Sequence, residues 1–442
     1  MNTPIYDFLT AYADRDMLRL HMPGHKGKGD VERYDLTEIC GADSLYEADG
    51  IIRESEENAG KIFSSHTFYS TEGSSLSIRA MLYLVNIYSQ NQAKKAKIIA
   101  ARNAHKVFVS AAAMLDIEVE WLPCSAADSY LSSLVGADDV AEALDSADGL
   151  PSAVYITSPD YLGRTADIAA IAEVCHRRGV LLLVDNAHGA YLKFLAESRH
   201  PIDLGADITA DSAHKTLPVL TGGAYLHISK NAPSLFAENA RLALSLFGST
   251  SPSYLILSSL DRVNAYLDSS SDEIPRFAMM IEELKAELAS AGYSLVGDEP
   301  FKITVRAKEY GYTGTDFAEL LRRAGAECEF SDPDFTVLML TPSISDSELS
   351  TLAEILLSIP KREPITELLP AVTRPRVVLP MREALLCPSE LVPPEEALGR
   401  IAAAPTVGCP PAVPIVISGE LIDECAVSAF KYYGVELIRV VK

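Results

Sequence analysis

Paired cysteines are missing from this chain. Its seven cysteines are scattered at Cys40, Cys124, Cys175, Cys328, Cys387, Cys409 and Cys425, and none has the CxxC spacing of a zinc or redox motif. Odd number and scatter argue against a disulfide framework and for reduced thiols, so a cytoplasmic location and no metal are expected. Long apolar runs are missing as well. None approaches the roughly 20 residues that span a bilayer. The opening Met1-Asn2-Thr3-Pro4-Ile5-Tyr6-Asp7 has neither the basic nor the apolar region of a signal peptide. Basic residues are scarce: 38 Lys and Arg against 61 Asp and Glu leave a net charge of -23. Nucleic acid, whose phosphates want basic surfaces, is therefore not an expected partner. An acidic field suits a cationic substrate, although such surfaces mostly serve solubility. Internal repeats and low-complexity tracts are absent too.

What is present reads as a globular chain, with 48% hydrophobic and 22% charged residues. Its 442 residues exceed one ordinary core and predict two or three domains. The first 60 residues are polar and rich in loop formers. Strands are expected at Ile98–Ala101, Val154–Thr157, Val180–Val184 and Ala224–Ile228. Between two of them, Ile168, Ile171, Ala172 and Cys175 repeat at helical spacing, with Arg177 and Arg178 in the last turn and Gly179 after it. Strand, helix and strand with unbroken apolar runs predict an α/β fold with a mainly parallel sheet covered on both faces. Ligands of such sheets bind outside the carboxyl ends of the strands. After about residue 265 the pattern becomes α+β: helix Ile274–Ala291, strand Phe301–Val305, helix Asp316–Ala324, strand Phe335–Leu340 and helix Asp346–Ile359. From Pro360 onward the chain is proline-rich. The expected division is 1–265, 266–362 and 363–442.

The chemistry concentrates on two stretches thirty residues apart. The run Val180-Leu181-Leu182-Leu183-Val184 ends in Asp185-Asn186-Ala187-His188-Gly189, and Asp211-Ser212-Ala213-His214-Lys215-Thr216 follows. A buried strand ending in an acid, then a lysine beside Ser and His, is the layout that pyridoxal phosphate (PLP) needs. The Lys215 amine can condense with the aldehyde carbon. Asp185 can keep the pyridine nitrogen protonated. Ser212 and His214 can reach phosphate oxygens, and His188 the ring oxygen or imine region. The bland alternatives are a surface lysine, a helix-capping acid and a satisfied structural histidine. Thr71-Glu72-Gly73-Ser74-Ser75 precedes a helix, so Gly73, Ser74 and Ser75 sit where backbone N–H groups and the helix dipole favour an anion. His105, after a strand end in Arg102-Asn103-Ala104-His105-Lys106, can stack on a pyridine face.

Together these blocks resemble the Orn/Lys/Arg decarboxylase family of aspartate-aminotransferase-like (fold type I) enzymes. Further matching stretches are His21-Met22-Pro23-Gly24-His25-Lys26-Gly27, Ser249-Thr250-Ser251-Pro252-Ser253-Tyr254, Arg382-Glu383-Ala384 and Gly399-Arg400-Ile401. The resemblance is to the short form, without an N-terminal wing domain. It implies a fold type I major domain, a small α+β domain and a small C-terminal domain. It implies a homodimer with active sites at the interface, PLP on Lys215, Asp185 at the pyridine nitrogen and His105 stacked on the ring. Gly73, Ser74, Ser75, Ser212 and His214 would surround the phosphate, with Ser249 and Thr250 from the partner. The implied activity is decarboxylation of arginine, lysine or ornithine to the amine used in polyamine biosynthesis. Lys215 or His214 would return the proton to Cα. Glu383 is a candidate for the substrate's distal cation. The chain departs from the family pattern at Glu72, Val107, Asn186, Tyr191, Gly222 and in Cys409-Pro410-Pro411-Ala412. An aminotransferase, a carbon–carbon lyase and a non-catalytic PLP-binding paralogue are the alternatives.

Overall fold

Five consecutive residues with no exposed face, Leu181 to Asp185, form a strand in the computed structural model of the chain. The structure describes residues 1–122, 129–133, 135–269, 272–367, 369–370, 375–405 and 410–442. Cys124 and Cys409 lie outside the described residues. The chain divides into two compact units, each discontinuous in sequence.

The first unit comprises Met1–Ala96, Ala147–Ile156 and Ile168–Pro275. Its strands lie in the order Ser65–Ser70, Ala224–Ser229, Ile208–Asp211, Leu181–Asp185, Ala153–Thr157. Leu181–Asp185 and Ile208–Asp211 run parallel, so both end in an acid on the same edge. Ala224–Ser229 runs antiparallel to both its neighbours. The class is α/β with a mainly parallel sheet, as expected. Helix Gly73–Asn91 packs on strands Ile208–Asp211 and Ala224–Ser229 through buried Leu76, Ala80, Leu84 and neighbours.

The expectation of loops in the first 60 residues is corrected. Helices Pro4–Ala13 and Ile51–Phe63 lie there. The second escapes a hydropathy reading because it buries polar Ser55, Glu56 and Asn58. Strands Ser65–Ser70 and Ile208–Asp211 were not anticipated either. The first looks polar, yet Ser65 and Thr67 turn their hydroxyls to buried His227 at 3.3 and 2.9 Å. Hydrogen bonding thus replaces the missing apolar face.

The second unit comprises Lys97–Ser146, Thr157–Asp167 and Arg276–Lys442. Lys97–Ala100 pairs in parallel with Glu118–Trp121. A four-stranded antiparallel sheet has the order Phe330–Ser331, Phe335–Met339, Lys302–Arg306, Leu295–Val296. Ser389–Val392 pairs with Ile438–Val441 over a core that includes Val416, Ile422 and Phe430. Helix Asp346–Ser358 opens with a reciprocal cap between Ser345 and Glu348.

Candidate active site

Each strand end in the first unit carries one half of the site. After Leu181–Asp185 the chain turns through Asn186 to His188, and after Ile208–Asp211 it enters the short helix Ala213–Thr216 with Lys215 in it. The Lys215 backbone N–H bonds the Ser212 carbonyl at 3.0 Å, which fixes the turn. Lys215 Nζ lies 3.1 Å from His188 Nε2. His188 is buried. The two stretches singled out in the sequence therefore meet amine to imidazole.

Asp185 is 3% exposed. Burial pushes its carboxyl above the usual range, while the charge of Lys215, the Tyr155 hydroxyl and the Ala187 N–H act the other way. Tyr155 donates to Asp185 Oδ2 at 3.1 Å, and the Ala187 N–H to Oδ1 at 3.2 Å. The sequence reading missed Tyr155. Its signal was a tyrosine inside an apolar strand, whose hydroxyl must find a partner.

Gly73 opens a helix of 19 residues with φ +71°, and its N–H donates to the Gly222 carbonyl at 2.7 Å. Ser74 and Ser75 lie inside the first turn rather than before it. Ser212 Oγ donates to Ser74 Oγ at 2.8 Å, which brings the hydroxyls of two segments together at this N-terminus. His214 Nδ1 lies 3.0 Å from the Gly223 carbonyl. A carbonyl only accepts, so Nδ1 carries a proton and Nε2 is the ring nitrogen left for other partners. Ser249 and Thr250 are exposed, and the Ser249 N–H donates to Glu72 Oε1 at 2.6 Å. His105 belongs to the second unit, where its Nδ1 accepts from the Val107 N–H and caps helix Lys106–Met114.

The departures from the family pattern have local reasons. Gly222 has φ +99°, and a Cβ there would stand 2.7 Å from the Thr71 carbonyl oxygen, so no larger residue fits. Tyr191 is fully buried. Asn186 Nδ2 donates to Asp211 Oδ2 at 2.8 Å, and His200 Nε2 lies 2.8 Å from the same oxygen. Sequence reasoning gave Asp211 no role. His200, Asp211 and His227 are close enough together to suggest metal ligands. However, the Ile202 N–H donates to His200 Nδ1 at 3.3 Å, which leaves the ring proton on Nε2 and aimed at the carboxylate. We read the group as a hydrogen-bond network. Burial acts to raise the Asp211 carboxyl, but His200 with His227 and Asn186 outweighs it and holds the carboxyl below the usual range.

Comparison with known proteins identifies the family. The profile of the family described as Orn/Lys/Arg decarboxylase, major domain, matches residues 3–296. The uncharacterized protein YaaO of Bacillus subtilis is 31% identical over 96% of this chain and 92% of its own length. A protein of Halalkalibacterium halodurans named arginine decarboxylase is 30% identical over 96% of this chain and 91% of its own. Among solved structures, the Francisella novicida lysine decarboxylase LdcF superposes with a TM-score of 0.82 at 17% identity, covering 100% of this chain and 81% of that one. At that identity the likeness speaks for the fold. The profile and the near full-length relatives establish the rest: the chain belongs to the Orn/Lys/Arg decarboxylase family of PLP-dependent amino-acid decarboxylases.

Proposed function

We propose that the chain removes CO2 from a basic amino acid, with PLP held on Lys215. The observation that carries this reading is the 3.1 Å contact of Lys215 Nζ with His188 beside the buried strand end at Asp185. The donors fit the group. A helix N-terminus with Ser74, Ser75 and Ser212 suits a phosphate. A buried carboxylate whose burial outweighs the help of Lys215, Tyr155 and Ala187 suits a pyridinium. Lys215 supplies an amine for the aldehyde. When bound, the cofactor supplies an electron sink for the pair left behind by CO2.

The chain's own residues then have distinct tasks. Asp185, oriented by Tyr155 and Ala187, would hold the ring nitrogen protonated. His188 would share a hydrogen bond with the Lys215 amine and so orient it. Lys215 would return a proton to the substrate's Cα, with His214 Nε2 as the second candidate. His105 would stack on the ring. Arginine is the first substrate to test, because relatives named arginine decarboxylase match nearly the full chain. Lysine and ornithine follow, and Glu383 is a candidate for the distal cation.

The reading includes a homodimer with Ser249 and Thr250 serving the partner's site. Large apolar side chains near the start support it: Leu18 and Leu20 are each 82% exposed. It also includes a cytoplasmic location, supported by the scattered thiols. No helix among the described residues is long and apolar enough to cross a membrane.

The test is an absorbance spectrum of the protein with PLP, followed by CO2 release on adding arginine, lysine and ornithine separately. A visible band that shifts with one of them, together with CO2, is expected. Lys215→Ala should abolish both. CO2 release by that variant at the parent rate would sink the assignment. A band without CO2 from any amino acid would refute decarboxylation.

A further inference from the structure

A cavity of about 460 Å³ opens in the first unit among Arg53, Glu56, Lys61, His66, Lys230 and Arg241. Two of its cations are already paired, Arg53 with Glu57 and Arg241 with Glu56, and among the described residues no buried side-chain atom of its lining lacks a partner. The second unit holds a cavity of a different kind.

That cavity, of about 370 Å³, is lined by the rings of Tyr130, Tyr432 and Tyr433, by Val413 and Ile415, and by Asp332. Tyr130 and Tyr433 have ring centroids 4.7 Å apart, and Tyr432 meets Tyr433 edge-on at 4.9 Å. Asp332 is 7% exposed. Its Oδ1 accepts from the Asp334 and Phe335 N–H groups at 2.8 and 2.7 Å. Its Oδ2 is buried and has no hydrogen-bond partner among the described residues. The neighbouring cation, Lys308, is committed elsewhere. Its Nζ lies 3.1 Å from Asp334 and 2.9 Å from Glu367, and it bonds the Tyr432 hydroxyl. A buried carboxylate with one unused oxygen therefore belongs to a wall made mostly of aromatic and aliphatic side chains, with Thr315 and Ser331 as its other polar members.

We propose that this cavity is a binding site for a small aliphatic organic cation, an alkylammonium or alkylguanidinium, held by Asp332 and the Tyr130, Tyr432 and Tyr433 rings. The ring quadrupoles and the carboxylate attract the same sign of charge, and they gain strength where water is excluded. The aliphatic lining fits a cation with a hydrocarbon body. A hydrated metal ion would want oxygen ligands on most sides, and this wall offers few. Burial first, and the charge of Asp334 after it, push the Asp332 carboxyl up to about 7, against the pull of two backbone N–H groups. A bound cation would stabilise its ionised form. The site uses neither Lys215 nor any other residue of the proposed chemistry.

The test is isothermal titration of the full chain with agmatine and with 1,4-diaminobutane, using 1,4-butanediol as the neutral counterpart. Asp332→Asn keeps the acceptor for the two backbone N–H groups and removes the charge. Tyr433→Leu keeps the charge and removes a ring. The expected result is at least a tenfold loss of amine affinity in each variant for one class of site, a class that Lys215→Ala retains, and no binding of the diol there. Unchanged amine isotherms in both variants, or equal binding of the diol, would overturn the proposal. No turnover or cofactor enters the measurement, so failure of the decarboxylase reading would leave this result standing on its own.

Discussion

Two neighbouring parallel strands of the first unit end in aspartates, and the two carboxyls have opposite fates. Asp185 and Asp211 are both buried, at 3% and 0% exposure. Burial is the largest influence on each. At Asp185 it prevails and the carboxyl is pushed up, because the nearby help is a tyrosine hydroxyl, one N–H and the Lys215 charge. At Asp211 it is overcome by His200 and Asn186, each 2.8 Å from Oδ2. One strand end is thus electrostatically unfinished and the other is closed. An unfinished buried carboxylate is a place for a ligand's charge, and a closed one is a brace.

The largest way to break that comparison is Asp185→Asn. If Asp185 holds a pyridinium, CO2 release should fall about 100-fold or more, while resistance of the cofactor-free protein to urea stays level or rises. A large loss of stability in that variant would show that Asp185 is a brace as well. Asp211→Ala inverts the pattern. It strands the His200 and Asn186 donors in the interior and should cost about 3 kcal/mol in urea unfolding. Loss of activity without loss of stability would contradict the assignment.

The pH dependence sharpens the same contrast. A carboxyl raised on folding contributes stability that is complete below its unfolded value, about 3.9, and is lost as pH rises through the folded one. Asp185 is of this kind. Asp211, lowered on folding, contributes stability present above about 3.9 and lost as pH falls through its folded value. Urea midpoints taken across the acid and neutral range should therefore respond in opposite limbs. Asp185→Asn should flatten the decline toward neutral pH, and Asp211→Asn the decline toward acid.

The smallest effect belongs to a residue of the second unit and serves as a control. Ala412 has φ +58°, a left-handed conformation that glycine adopts without strain, and its carbonyl takes the Lys106 N–H at 2.9 Å. Ala412→Gly should stabilise the protein by about 1 kcal/mol and leave CO2 release unchanged. Thermal melting would check it.

Much of the site was legible in the chain, for a local reason. Lys215 sits between Ser212 and Thr216 with His214 beside it, and Asp185 stands three residues before His188 at the end of an apolar run. Function compressed into short segments survives as a motif. Tyr155 and His200 were not legible as partners of Asp185 and Asp211, because each reaches its aspartate from a different strand or loop. Strand Ser65–Ser70 was hidden by Ser65, Thr67 and Ser70, which are polar and buried but hydrogen-bonded.

By itself the sequence determined the α/β class, the strand that carries Asp185, a helix after the Thr71–Ser75 stretch and the lysine to examine, since periodicity and spacing are local properties. The tertiary structure alone decided that Lys215 meets His188, that burial prevails at one aspartate while partners overcome it at its neighbour, and that Asp332 joins three tyrosine rings around a cavity. Those outcomes depend on distances between residues far apart in the chain, and electrostatic energies are set by such distances and by the exclusion of water.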